Sequence, residues 1–417
     1  MRTVPLRHFA EVRTSSVDKH SHDDEQPVQL CNYVDVYKND LVAPHADLMR
    51  ATASAEEIAR FRLQVGDSVL TKDSEDPSDI GISAHVVATS PDFVCGYHLA
   101  IARPTAGTHP RYLTWALRSR PVLDHFSIHA SGISRYGLTT SGLRAAPIPA
   151  HPEETQQRIA DFLDDRVARI EQIIAARELQ RRVLAQSTSS RLQEMQDAWA
   201  ERHGETRLGR VLLGLEQGWS PQAESTPAAP DEWGVMRSGC VNEGIFRESD
   251  NKRLPDILDP RKEYELRPGD LLVSRASGSL DKIGSAAVVP SGVRGRLLLC
   301  DKIYRLTPLR GWDPHFIAPM LRTHRNRELI RLGVSGAEGM ANNLPSGVIR
   351  GLTVPLVPQA QQASFAGSMA NLEKRSRVAD EALMRSMSLL QEYKQSLITA
   401  AVTGELDVVT AGSGIPG

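Results

Sequence analysis

The chain has 417 residues, of which 41% are hydrophobic and 24% charged, and its formal net charge is −2. These are the shares of an ordinary soluble protein, and the length suffices for two or more domains with real cores. No stretch approaches the ~18 apolar residues of a membrane span, and residues 1–7 lack the apolar core of a signal peptide. We therefore expect a cytoplasmic protein without a membrane segment.

The cysteines are isolated from one another and form no Cys-x-x-Cys pair, which argues against a zinc site and against a disulfide framework. Each half of the chain carries two of them at roughly equivalent places: Cys31, Cys95, Cys240 and Cys300. We interpret them as small buried hydrophobic residues in matching strands.

The first part of the chain predicts an α+β globule. Short β-rich runs at 29–36, 67–71 and 83–87 are broken by Gly, Pro, Asn and Asp, and a short helix fits 111–118. The polar stretch 14–26 predicts a loop, and loops on a rigid scaffold are where recognition residues usually lie.

Residues 153–203 contain neither Gly nor Pro and predict one long helix. Apolar residues recur there at steps of three and four, as on one helix face. Pro152 and Gly204 stand at the positions that are typical of a helix start and end. The polar run 187–190 interrupts the apolar stripe and is a place where the helix could bend or weaken.

The second half follows the same order. It predicts strands at 270–274, 285–289 and 296–305, a short helix at 315–327 and a loop at 220–232. Residues 368–403 predict a second long helix of about 54 Å. A helix of that length cannot bury its stripe in a small globule, so we expect an antiparallel pair with the first long helix. The alternative is two separate helices that pack back on their own globules.

The two halves also match residue by residue, at a period of roughly 205 residues. Matching pairs are Gly66-Asp67 with Gly269-Asp270, Ile80-Gly81 with Ile283-Gly284, Ser131-Gly132 with Ser335-Gly336, and Ile148-Pro149 with Val354-Pro355. Two similar working surfaces suit a protein that reads two sites on one extended partner, and they do not suit a single catalytic cleft.

The net charge hides two basic segments. Residues 100–150 hold six arginines against the single acid Asp124, and residues 261–331 hold fourteen Lys and Arg against seven acids. Local fields, not net charge, steer a polyanion. Basic segments at matching places in both repeats therefore favour nucleic-acid binding over ordinary solvated faces.

Catalytic motifs are missing from the sequence. It has no G-x-x-x-x-G-K-[ST] phosphate loop, no Asn/Asp-Pro-Pro-Tyr tetrapeptide of amino-methyltransferases, and no Gly-x-Gly-x-x-Gly after a strand. His20, His22 and His45 lack metal-ligand spacing, and Asp256 with Glu263 lacks the lysine of a nuclease cluster. We expect no catalysis, metal or cofactor on this chain.

Each globule meets its long helix at a proline-framed junction. The first junction reads Ile148-Pro149-Ala150-His151-Pro152, then Gln156-Gln157 and Ile159-Ala160-Asp161-Phe162-Leu163-Asp164. The second, Val354-Pro355-Leu356-Val357-Pro358, keeps the prolines but has Ala363-Ser364-Phe365 in place of Arg-Ile-Ala, and the last helix ends in Leu397-Ile398-Thr399-Ala400-Ala401-Val402-Thr403-Gly404. In these motifs, and over nearly its whole length, the chain resembles the specificity (S) subunit of type I restriction–modification systems.

The resemblance implies an α+β fold in which two α/β target recognition domains in tandem repeat are separated by two long helices that form an antiparallel coiled coil. The implied segments are recognition domain 1 (1–151), a central spacer helix (152–203), recognition domain 2 (204–357), a C-terminal spacer helix (358–406) and a flexible tail (407–417). Each domain would read half of a split double-stranded DNA target. Two methylation (M) subunits and the restriction (R) subunits would be the partners, and they would carry S-adenosylmethionine, ATP and Mg²⁺.

The DNA-contact candidates are chosen by side-chain chemistry, because Arg, Lys, Asn and Gln can form paired hydrogen bonds to purine edges. Lys72 follows a strand, and Arg275 is its repeat partner, so this pair leads. The full set is Lys72, Ser131, Arg135, Tyr136, Arg144, Arg237, Arg275, Ser277, Lys282, Asn342 and Asn343.

Two other functions are compatible with the sequence. One is a coiled-coil protein-interaction scaffold without nucleic-acid binding, which duplex binding that falls steeply with salt would exclude. The other is a divergent nuclease, which metal-dependent cleavage by the purified chain alone would establish.

Overall fold

A computed structural model describes residues 2–334 and 342–408. The chain forms two compact units, unit 1 (Met1–Arg177 with Met384–Gly417) and unit 2 (Glu178–Leu383). Each unit contains one globule and its own portions of two long helices. The two units reflect how residues pack together and do not test the boundaries of the five segments expected from the sequence. That five-segment division therefore stays a prediction. No helix in the described part is both long and apolar enough to cross a bilayer.

The first globule contains strands and five shorter helices interleaved along the chain. Its strands are β1 (Thr3–Pro5), β2 (Ala10–Thr14), β3 (Gln26–Cys31), β4 (Leu41–Val42), β5 (Met49–Ala53), β6 (Ser68–Thr71), β7 (Asp73–Ser74), β8 (Ser83–Val86), β9 (Phe93–Cys95), β10 (Leu99–Pro104), β11 (Ser131–Gly132), β12 (Tyr136–Gly137) and β13 (Pro147–Pro149). Its α-helices within the described residues are α1 (Tyr33–Lys38), α2 (Ala55–Phe61), α3 (Pro110–Leu117), α4 (Arg120–His129) and α5 (Thr140–Arg144).

A five-stranded sheet of order β2-β10-β6-β8-β4 lies at the centre of this globule, with smaller sheets β5-β3-β9 and β11-β12-β7 beside it. Successive residues of a strand point to opposite faces. Leu70 accordingly packs with Trp115 and Phe126 in one apolar cluster, while Val69 packs with Phe93 in another. The central sheet is therefore covered on both faces.

The first long helix, α6 (Glu153–His203), has the predicted bounds. It ends at Gly204, whose φ of 77° lies in the left-handed region that glycine adopts without strain.

The second globule repeats the central sheet with fewer strands. Its strands are β14 (Glu205–Arg207), β15 (Leu212–Gln217), β16 (Gly234–Met236), β17 (Asn251–Arg253), β18 (Leu271–Ser274), β19 (Ala276–Ser277), β20 (Ala286–Val288), β21 (Leu297–Leu298), β22 (Ile303–Pro308), β23 (Asn342–Asn343) and β24 (Thr353–Pro355). Its α-helices are α7 (Pro314–Met320), α8 (His324–Gly333) and α9 (Ser346–Gly351). The sheets have the orders β15-β22-β18-β20, β17-β16-β21 and β19-β23.

The second long helix, α10 (Gln359–Thr403), runs antiparallel to α6. In unit 1, Lys394 Nζ donates to Glu171 Oε1 over 2.6 Å. In unit 2, Arg181 donates to both carboxylate oxygens of Asp380 over 2.7 and 3.0 Å. The partner number on α10 falls as the number on α6 rises, which confirms the predicted antiparallel coiled coil.

The polar run within α6 does not interrupt the helix. Thr188 Oγ1 lies 2.8 Å from the Leu184 carbonyl oxygen and 2.8 Å from Ser376 Oγ on α10. The Thr188 hydroxyl thus has one hydrogen-bond partner in its own helix and one on α10. The polar run therefore forms part of the contact between the two helices.

The long helices also pack on the globules. Ile159 and Leu163 of α6 share an apolar cluster with Trp115 of the first globule and Leu397 of α10. In unit 2, Phe365 of α10 packs edge-on against Trp199 of α6, with ring centroids 5.0 Å apart. The helices therefore pair with each other and cover the globules at the same time.

The second long helix, predicted at 368–403, begins earlier, at Gln359. Three further predicted elements differ from the structure. The run 29–36 is a strand only to Cys31. The Asp35 carboxylate accepts the backbone N–H of Asn32 at 2.8 Å, and this capping contact stabilises the start of α1 at Tyr33. The run 296–305 is split into β21 and β22. The helix 315–327 is two helices, because Thr323 at the N-cap of α8 has extended backbone angles (φ −64°, ψ 152°). Its hydroxyl donates to the Met320 carbonyl oxygen of α7 over 2.8 Å.

All four cysteines are buried and free. Cys31 and Cys95 lie in strands β3 and β9, as the sequence predicts, and the structure shows that they are register partners. Cys240, however, lies on the 3-10 helix Ser238–Gly244 and Cys300 lies beyond β21, so the prediction of matching strands is wrong for the second half.

Candidate nucleic-acid interface

Most arginines of the basic segment 100–150 bind groups within unit 1. Arg103 donates to both oxygens of Asp67 over 2.8 and 2.7 Å. Arg111 pairs with Asp164 of α6, and Arg118 donates to the Ser83 carbonyl oxygen and pairs with Asp40. These cations hold the globule together, so the charge of the segment alone does not locate a DNA surface.

The repeated Gly-Asp pairs are part of the same framework. The Asp67 side chain is 1% exposed and accepts the Gln64 backbone N–H as well as Arg103. Asp270 accepts the Arg267 backbone N–H in the same way, and Arg305 approaches it at 3.2 Å. Each carboxylate fixes the turn that leads into its central strand.

The candidate residues of the first globule gather at the end of β6. We name this group site A: Lys72, Asp73, His98, Arg135 and Tyr136. The hairpin of β11 and β12 joins the sheet beside β7, with Tyr136 opposite Ser74 and Gly137 opposite Asp73. Gly132 is required in this hairpin, because a Cβ there would lie 1.9 Å from the Arg135 carbonyl oxygen.

A carboxylate occupies the centre of site A. Asp73 Oδ2 accepts from Lys72 Nζ at 2.8 Å and lies 2.7 Å from His98 Nδ1, while Arg135 Nη2 lies 3.1 Å from His98 Nε2. Burial raises the pKa of the Asp73 carboxyl, but the hydrogen bonds from Lys72 and His98 outweigh it and hold the pKa below its usual value. Asp73 is therefore a charged acceptor that already has two partners.

The corresponding residues of the second globule also come together. We name this group site B: Arg275, Ala276, Ser277, Lys302, Asn342 and Asn343. The strands β19 and β23 pair with Ser277 opposite Asn342 and Ala276 opposite Asn343. Arg275 Nη1 donates to the Asp301 carbonyl oxygen at 3.3 Å, and its guanidinium lies 5.9 Å from the centre of the Tyr304 ring.

The two sites have the same backbone framework. The Lys72 N–H donates to the His98 carbonyl oxygen at 3.0 Å, and the Arg275 N–H donates to that of Lys302 at 2.8 Å. The carbonyl oxygens of Lys72 and Arg275 accept from Leu138 at 2.7 Å and Leu344 at 2.8 Å, respectively. This identity confirms the repeat partnership of Lys72 and Arg275, and their role in DNA contact stays a prediction.

Three candidates lie apart from these hydrogen-bonded groups. Arg144 ends α5 and lines a surface depression with Arg13, Arg60 and Thr140. Arg237 precedes the 3-10 helix Ser238–Gly244, 4.0 Å from Asp250. Lys282 is exposed in the loop after β19. Ser131 lies in the hairpin of site A, and the matching pair Ser335-Gly336 lies outside the described residues.

Sequence reasoning missed Asp73, His98 and Lys302. His98 and Lys302 stand just before β10 and β22, at similar sequence separations from Lys72 and Arg275. The internal repeat could therefore have identified both residues. Asp73 carries no such signal, because its repeat partner is Ala276.

No group of three or more His, Cys, Asp or Glu in the described ranges could hold a metal ion. Asp256, which with Glu263 faintly suggests a nuclease cluster, instead accepts from Arg253 at 2.9 Å.

The framework geometry can be compared with known proteins. The chain is 28% identical over 187 residues to the type I restriction enzyme EcoEI specificity subunit of Escherichia coli, which covers 44% of this chain and 31% of that protein. It is 22% identical over 357 residues to the EcoKI specificity subunit of E. coli strain K12, covering 82% of this chain and 75% of that protein. The alignment with EcoEI thus spans about a third of that relative. No family model matches.

The fold has a counterpart among solved structures. A chain from a structure described as the basis of complex assembly and conformational transition of the type I R-M system superposes with a TM-score of 0.62, at 16% identity. The match covers 97% of this chain and 98% of that one, so the likeness extends to both globules and both long helices.

Proposed function

We infer that the chain, which belongs to the specificity (S) subunits of type I restriction–modification systems, recognises a bipartite double-stranded DNA sequence, with one half-site for each globule, and does not itself catalyse a reaction. The observation that carries this inference is the duplicated framework of sites A and B. Identical backbone bonds hold Lys72 and Arg275, while the surrounding side chains differ. Two unlike half-sites require this combination of a shared frame and different reading groups.

The chemistry of the side chains supports base recognition. Arg275 can form a paired hydrogen bond with guanine, and Asn342 can do so with adenine, in the major groove. Site B brings both to the edge of one small sheet. In site A, Arg135 lies on a hairpin whose tip carries Ile133 at 95% exposure, so this segment projects from the globule.

The partners follow from the same inference. The paired helices α6 and α10 would fix the separation of the two half-sites and offer surfaces to two methylation (M) subunits, which the restriction (R) subunits would join. S-adenosylmethionine, ATP and Mg²⁺ would be bound by those subunits, and the junction motifs shared by the two repeats would serve a partner common to both.

The test is binding of duplex DNA by the full chain, together with any subunits that co-purify, at fixed salt. Arg275→Ala should weaken binding to the cognate site and relax the base preference at one position by about 1 to 3 kcal/mol. Arg310→Ala removes an equally positive, exposed side chain outside site B and should leave the preference unchanged.

Unchanged affinity and preference in Arg275→Ala would remove this residue from the interface. Failure of the intact chain and its complex to bind duplex DNA at all would contradict the proposed function and favour a protein-interaction scaffold.

A further inference from the structure

Sites A and B differ in charge at the position that follows Lys72 and Arg275. Asp73 in β7 and Ala276 in β19 occupy the same place in the repeated framework, because each follows the Lys72 or Arg275 whose backbone bonds are equivalent. Asp73 presents a carboxylate there, and Ala276 presents a methyl group.

The carboxylate of site A engages the lysine that would otherwise face a phosphate. Lys72 Nζ and Asp73 Oδ2 are 2.8 Å apart, and each side chain is only 18% exposed. An ion pair that is partly withdrawn from water is screened less by salt than a surface pair. A DNA phosphate would have to displace Asp73 before it could bind Lys72.

Site B has no equivalent restraint. Arg275 donates to a backbone carbonyl oxygen, that of Asp301, and the Asp301 carboxylate itself accepts from the Ser220 hydroxyl. Lys302 stands where site A has His98 and is exposed. Within residues 2–334 and 342–408, neither Arg275 nor Lys302 forms an ion pair with a carboxylate. Site B therefore presents two cations, whereas Lys72 in site A is neutralised.

We propose that Asp73 is a specificity-determining residue that withholds Lys72 from the DNA backbone, so that the two globules bind their half-sites with unequal electrostatic strength. This proposal rests on the proposed function. Globule 2 keeps both cations free of a carboxylate, so that Arg275 can read a base edge and Lys302 can bind phosphate, while globule 1 depends more on contacts to base edges. Contacts to the DNA backbone strengthen binding to all sequences alike. Weakening one such contact therefore increases the difference in affinity between cognate and non-cognate DNA.

The experiment compares Asp73→Asn with Asp76→Asn in the full chain and its co-purified complex. Both changes remove one negative charge, and the two positions are three residues apart. Asp76 is exposed in the loop after β7, and its carboxylate accepts from Ser78 and, among the described residues, pairs with no cation. Affinity for a short random-sequence duplex is measured as a function of salt. A retained far-UV spectrum and melting curve show that each variant folds.

Asp73→Asn frees Lys72 for one additional phosphate. The slope of log affinity against log salt should steepen by about 0.9, which is about a 3.5-fold greater loss of affinity between roughly 50 and 200 mM salt. Asp76→Asn should keep the wild-type slope. The reciprocal change Ala276→Asp should flatten the slope, because it places a carboxylate beside the two cations of site B.

While duplex binding persists, a slope for Asp73→Asn equal to that of wild type and of Asp76→Asn would overturn the proposal. If this unchanged slope came with a relaxed preference at a single base pair, Asp73 itself would be a base reader, since a carboxylate can accept from cytosine N4. Absence of duplex binding by the wild-type chain would instead contradict the proposed function. If Ala276→Asp does not fold, Asp73→Asn decides alone.

Discussion

Gln156→Met should loosen the attachment of the first globule to α6. The Gln156 side chain is buried, at 2% exposure, and its Oε1 accepts the His109 backbone N–H at 2.9 Å. Its Nε2 donates to the carbonyl oxygens of His151 at 2.9 Å and Gly107 at 3.3 Å. Methionine has a similar length but can replace none of these bonds.

The size of the effect follows from the groups that are left without a partner. An unsatisfied buried polar group costs about 1 to 3 kcal/mol. Three backbone groups lose their partner, but the bond to Gly107 is long and the loop can admit water. We expect the free energy of unfolding of unit 1 to fall by about 3 kcal/mol.

Hydrogen exchange followed by mass spectrometry measures this change locally, in peptides that cover 105–117 and 151–165. Gln157→Met is the matched control, because Gln157 is exposed and its substitution should change stability by less than about 0.5 kcal/mol. Gln362 makes the equivalent bonds to Asp313, Gly311 and Val357, so Gln362→Met should loosen unit 2 instead. Equal protection in Gln156→Met and Gln157→Met would show that the Gln156 side chain does not hold the globule on α6.

Two further predictions concern buried charge. Asp67→Ala should destabilise unit 1 by about 3 to 5 kcal/mol in urea unfolding, because it leaves the partly buried guanidinium of Arg103 without its carboxylate. Asp270→Ala should destabilise unit 2 by less, since Arg305 keeps its ion pair with Glu216 at 2.7 Å. Equal losses of stability in the two variants would contradict this expectation. Burial lowers the pKa of His85 from 6.5 to about 4. As the pH falls, the unfolded state therefore binds the proton before the folded state does. The free energy of unfolding should fall by up to ~3 kcal/mol between about pH 6.5 and pH 4. His85→Gln should flatten this dependence in calorimetric melts, and an unchanged pH slope in that variant would refute the assignment.

The sequence allowed the long helices to be predicted because their punctuation is local. A span without Gly or Pro ends at Gly204, and a glycine at the end of a helix acts through its own φ, so no distant contact is needed. The start of α1 was missed because the run 29–36 has the β-rich composition of a strand, whereas the capping contact of Asp35 decides the structure. Strand-like composition and a helix-capping residue thus favour different structures for the same run, and only the folded backbone shows which one forms.

The candidate site was predicted in part for the same reason. The repeat alone paired Lys72 with Arg275, and the backbone bonds confirm that pairing. The sequence did not show that Asp73 neutralises Lys72, because an ion pair between adjacent residues depends on side-chain direction and on His98. Likewise, counts of basic residues could not separate Arg103, which binds Asp67, from arginines that face solvent.

Selection from randomised duplexes by the intact chain, with its co-purified subunits, tests whether each globule reads one half-site. We expect an enriched sequence with two separate blocks and a constant gap, in which Arg275→Ala relaxes one block and Arg135→Ala relaxes the other. Enrichment of a single continuous block, or relaxation of the same block by both variants, would contradict the assignment of one half-site to each globule.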